Sequence, residues 1–116
     1  MAKPSKRVAP ATPPVVDPPK AALQRISNLI SRGFDADRVQ REAAEVISSW
    51  ATNLEVDDLR EHLDEVHEQL TDGVEAAQDM GSEIEPGDAN SAKLHQRNLS
   101  ALMAARDAFS QAVQRL

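Results

Sequence analysis

The chain has 116 residues, with 13 Lys and Arg against 19 Asp and Glu, no cysteine, no tyrosine and three aromatic side chains, Phe34, Trp50 and Phe109. That length accommodates one small domain, and the missing thiols exclude a disulfide scaffold, a Cys-ligated zinc site and a cysteine nucleophile. No apolar run approaches the roughly 20 residues of a membrane helix and the N-terminus lacks the apolar core of a signal peptide, so the composition predicts a soluble cytoplasmic protein with no membrane partner.

Six of the seven prolines lie at or before Pro19, where Lys3, Lys6 and Arg7 face a single acid, Asp17. Each proline removes a backbone donor and the stretch has few large apolar groups, so neither helix nor sheet is favoured. Residues 1–19 are therefore predicted to be a disordered, basic, Pro-rich arm with polyproline II character, serving as a solubilising leader or as a docking arm.

From Lys20 onward Ala, Leu, Gln, Glu and Arg dominate, and the remaining 20–116 are predicted to be all-α. A first helix at about 20–32 carries Ala22, Leu23, Ile26, Leu29 and Ile30 at helical spacing. Pro18 and Pro19 suit its first turn, where a missing N–H costs nothing, and Gly33 suits its C-terminal cap. Phe34 falls in the break, either as a wedge between helices or as an exposed anchor. Asp35 is the expected cap of a second helix at about 36–52, whose stripe of Val39, Ala43, Val46, Ile47, Trp50 and Leu54 places Trp50 in the core.

The third helix, about 56–80, has the most regular pattern. Val56, Leu63, Leu70 and Ala77 form one seven-residue series and Leu59, Val66, Gly73 and Met80 another, which together read as the a and d positions of about four heptads. Asp57 or Asp58 offers a cap, with Glu61 closing a capping box behind Asp58. Gly73 on this seam either admits a bulky side chain from a neighbour or marks a weak point. A reversal at Gly81–Asn90 leads to the last helix, about 89–115, with Leu94, Ala101, Leu102, Ala105, Ala108, Phe109, Ala112, Val113 and Leu116 inward. These lengths predict a three- to four-helix bundle built on a long antiparallel hairpin of helices three and four, with helix two in its groove and helix one closing a fourth side or reaching outward.

Charge is unevenly placed. Between Glu55 and Asp88 there are thirteen acids and one base, Arg60, while the arm, the first half of the body and the last helix are each net basic. Glu61, Asp64, Glu65, Glu68, Asp72 and Glu75 thus form a candidate docking strip for a protein with a basic surface, with the basic last helix as partial compensation. Leu23, Ile26, Leu29, Ile30 and Phe34 form a second candidate, an apolar patch left bare if helix one is not needed by the core. A bundle this small gains stability by oligomerising, so a homo-oligomer is expected.

Catalysis and cofactors find no footing. There is no strained nucleophile turn, no phosphate loop and no buried carboxylate pair. Asp64 with His67 and Asp58 with His62 have metal-ligand spacing, but no second copy of the motif accompanies them, so neither metal nor cofactor is expected. The expected function is that of a non-enzymatic adaptor, inhibitor or assembly chaperone. An acidic antagonist that mimics nucleic acid is the alternative; direct nucleic-acid binding through the basic arm ranks below it, because phosphate neutralisation needs more than three bases.

Overall fold

Three of the four helices begin where an aspartate side chain relieves free N–H groups. Asp17 accepts a hydrogen bond from the Lys20 amide at 3.3 Å and is followed by Pro18 and Pro19, which opens α1, Pro18–Ser31. Asp35 accepts from the Arg38 amide at 3.1 Å and opens α2, Ala36–Asn53. Asp88 accepts from the Ser91 amide at 3.0 Å and from its hydroxyl at 2.8 Å, opening α4, Ala89–Gln114. Those two bonds, the amide first, hold the Asp88 carboxyl below its ordinary pKa. The start of α3, Val56–Gly81, departs from expectation: Glu55 occupies the cap position without a side-chain bond, and Asp57 and Asp58 lie in the first turn, where they favour the helix dipole instead.

The computed structural model describes residues 17–116, and these four helices, with no strand among the described residues, make an all-α bundle. Most of the predicted arm, residues 1–16, lies outside the described residues. Pro18 and Pro19 take the first turn of α1 as expected, which starts the helix two residues before the predicted Lys20.

Gly33 ends α1 with a φ of 91°, in the left-handed region. Its amide bonds the Ile30 carbonyl at 3.0 Å and the Phe34 amide bonds the Leu29 carbonyl at 3.1 Å, the paired closure of a Schellman cap. The cap turns the chain back, so that α1 and α2 form one antiparallel hairpin. Arg25 of α1 clasps α2 at Glu42 (2.6 Å) and reaches Glu45 at 3.8 Å. Phe34 is the wedge of the two alternatives: half-buried, it packs on the core with the Arg38 guanidinium 5.1 Å above its ring.

The second hairpin is α3 with α4, antiparallel as the pairings Gly73 with Leu102 and Gly81 with His95 require. The two hairpins stack, α2 along α4 and α1 against α3. Helix two thus does not sit in the groove of the long hairpin as expected; it lies on the flank of α4 and barely touches α3, while helix one closes the fourth side. The core between them is aliphatic and small, with Ile26, Val39, Ala43, Leu63, Val66, Ala101, Ala105 and Phe109 inside. Trp50 is only half-buried and caps one end of this core, meeting Phe109 at 6.1 Å and the edge of His62 at 5.3 Å.

The buried side of α3 does not follow the heptad seam throughout. Leu59, Leu63, Val66, Leu70 and Val74 are buried, whereas Val56 and Met80 are exposed. Continued by the half-buried Ala77 and Gly81, this series repeats every eleven residues, about 3.67 per turn, which keeps a straight helix in contact with its neighbour without the left-handed coiling of a heptad. Leu94 of α4 and Leu116, two residues past its end, also expected inside, are exposed too.

Candidate interaction surface

Glu61, Glu65, Glu68, Asp72 and Glu75 recur along α3 at alternating steps of four and three, and Asp79 extends the row, so they share the face opposite the buried stripe. All of them and Asp64 are exposed. Among the described residues none of these carboxylates is in an ion pair; the Glu65 carboxylate accepts one long bond, 3.5 Å, from the Gln69 amide. The bases of α4 do not compensate them by contact: Arg106 pairs with its neighbour Asp107, and Arg97 lies against Gly33. The strip is therefore an unneutralised row of charge on a rigid helix of 26 residues, about 39 Å long.

The apolar patch is corrected. Ile26 is 1% exposed and Ala22 is buried, and Leu23, Leu29, Ile30 and Phe34 pack against the core. Burying a side chain the size of Ile26 stabilises by roughly 1.5–3 kcal/mol, which is why helix one folds back onto α3. What remains of the patch is a shallow groove of about 360 Å³ floored by Leu23, Ile26, Ile30, Leu70, Gly73 and Leu102. Leu102 borders Gly73 at ordinary contact distance, 3.9 Å from where a Cβ would be.

Two of the three histidines pack against neighbours. His62 stands edge-on to Trp50, and His95 comes so near Gly81 that a Cβ there would lie 2.6 Å from its Nε2. No group of three or more His, Cys, Asp or Glu side chains converges in metal-binding geometry among the described residues. Nor is any helix among them long and apolar enough to cross a membrane.

Sequence reasoning missed one surface. Met80 is 64% exposed and Leu94 50% exposed, both at the end of the α3–α4 hairpin. The signal was present in the helix lengths: α3 and α4 have 26 residues each, α1 and α2 only 14 and 18. Comparison with family models, with curated proteins and with solved structures found no match.

Proposed function

We propose that this chain is a non-enzymatic protein–protein interaction module, an adaptor, inhibitor or assembly chaperone, that captures a basic surface on its partner. The observation that carries the reading is the row from Glu61 to Glu75: exposed, outside any ion pair among the described residues, and carried on one helix whose opposite face is packed. Aligned carboxylates of this kind steer a basic partner and repel phosphate.

Nucleic-acid mimicry is the second reading. Nine acids from Asp57 to Asp79 occupy 22 residue steps, or about one charge per 4 Å of helix axis, close to the ~3.4 Å per phosphate of one DNA strand and about half the density of a duplex. It differs from the first in its test, because nucleic acid would then compete with the chain for the same partner. Self-association, expected from the small size of the bundle, would not use the helix-one face, which packs on the core within the monomer.

The test is capture from a lysate of the source cells on the immobilised full chain, beside a variant in which Glu61, Asp64, Glu65 and Glu68 are changed to Lys. A partner held by the native chain at low salt, released by high salt and lost on reversal is the expected result. Equal capture by both chains sinks the reading.

A further inference from the structure

Between α1 and α2, at the end where α1 begins, runs an open groove of about 400 Å³. The buried Ala22 and Val46 form its floor, and Pro18 and the half-buried Trp50 stand at its mouth. Its far end is shut by Arg25, which reaches across to Glu42 and Glu45. From Pro18 to Arg25 is seven residue steps of helix, so the groove is about 10 Å long. The two charged residues on its rim, Arg25 and Glu45, already face each other at 3.8 Å, and the floor is apolar, so the groove suits an uncharged occupant.

The chain delivers one. Val16 precedes the Asp17 cap, and Ala21, the fourth residue of the helix, lines the groove. A hydrophobic residue before the cap packs on the fourth helical residue in the staple that sets how a chain enters a helix, and such a contact turns the chain back over this groove. The four residues before Asp17 are Pro13, Pro14, Val15 and Val16, with no charge among them, and four extended residues span about 13 Å, enough to run the length of the groove. The bases Lys3, Lys6 and Arg7 lie beyond that reach. Going beyond the docking strip on α3, we propose that residues 13–16 fold back across the α1–α2 hairpin and cover Trp50, an apolar strap that extends the core at the end Trp50 leaves half open. Proline laid on an aromatic side chain is the contact by which aromatic-lined grooves take Pro-rich segments. Pro13 and Pro14 also have little backbone freedom to lose on docking. Direct attachment to Pro18 makes the encounter intramolecular, which favours this segment over the same residues of a second copy.

Trp50 is the only tryptophan and the chain has no tyrosine, so its fluorescence reads this groove alone. In the full chain, nuclear Overhauser contacts are expected between the indole ring of Trp50 and the methyl groups of Val15 or Val16. Changing Val15→Ser with Val16→Ser is expected to shift the Trp50 emission to longer wavelength and to increase its quenching by acrylamide. Changing Val8→Ser with Ala9→Ser, outside the strap, is expected to leave both as they are. Absence of the Overhauser contacts overturns the strap, and so does equal emission from the two double variants. A native emission that moves to longer wavelength on dilution overturns it too, because a second copy would then be filling the groove. The strip reading fails separately, when reversal of Glu61, Asp64, Glu65 and Glu68 leaves capture from lysate unchanged.

Discussion

Gly33 and Gly73 show how one residue type carries opposite consequences. Gly33 holds a φ of 91° in the cap of α1, a conformation that costs an L side chain about 1–2 kcal/mol. Gly73 sits inside α3 with ordinary helical geometry, and a Cβ added there would rest 3.9 Å from Leu102, a normal contact. Gly33→Ala is therefore expected to destabilise the fold by about 1–2 kcal/mol, and Gly73→Ala to stabilise it by up to about 1 kcal/mol through helix propensity. Urea denaturation of the two variants checks the signs, and a loss on Gly73→Ala would mean that Leu102 needs the space. Local chemistry of this kind was legible in the sequence: Asp35, Gly33 and the Pro18–Pro19 pair act through neighbours three or four residues away. Asp57 and Asp58 were misread as caps because the cap lies two to three residues earlier, at Glu55, a choice set by the two extended residues, Leu54 and Glu55, that separate α3 from α2.

At the scale of the element, α3 separates two periodicities that are hard to tell apart. Leu59, Leu63, Val66, Leu70 and Ala77 satisfy both a seven- and an eleven-residue repeat; past Leu70 the two diverge, the heptad demanding Gly73 and Met80 and the straight helix Val74 and Gly81. A single sequence cannot decide there, because the choice depends on how the neighbour curves. Burial decides for Val74, 1% exposed. Val74→Ala is expected to cost roughly 2 kcal/mol, two methyl groups' worth of burial with a residual cavity, while Met80→Ala stays within about 0.5 kcal/mol as an exposed position. Thermal or urea unfolding of the pair tests this, and a larger loss at Met80 than at Val74 would restore the heptad. Helix one was harder to place for a related reason. Its amphipathic stripe shows that it buries a face but not against what, and the answer came from the α3 surface that accepts Ile26.

The whole molecule concentrates its electrostatics into two regions of opposite effect. The α1–α2 hairpin holds a cluster in which Arg25 and Arg38 share Glu42, at 2.6 and 3.8 Å, and which salt weakens. The α3 row is the reverse, a run of like charges three and four residues apart with no counter-charge within ion-pair distance among the described residues. Like-charge neighbours on a helix cost about 0.2–0.5 kcal/mol each, and the nine such pairs between Asp57 and Asp79 add up to roughly 2–4 kcal/mol, more than the ~1 kcal/mol an exposed cluster of the Arg25 type contributes. Repulsion therefore dominates, and screening should relieve it. Raising sodium chloride from about 10 mM to about 500 mM, which shortens the screening length from roughly 30 Å to under 5 Å, is expected to raise the urea midpoint of the native chain. The variant with Glu61, Asp64, Glu65 and Glu68 changed to Lys, which mixes the signs along the row, should lose most of that salt response. A native midpoint that falls with salt would mean that the row is already neutralised within the fold, and a neutralised row has nothing left to offer a basic partner.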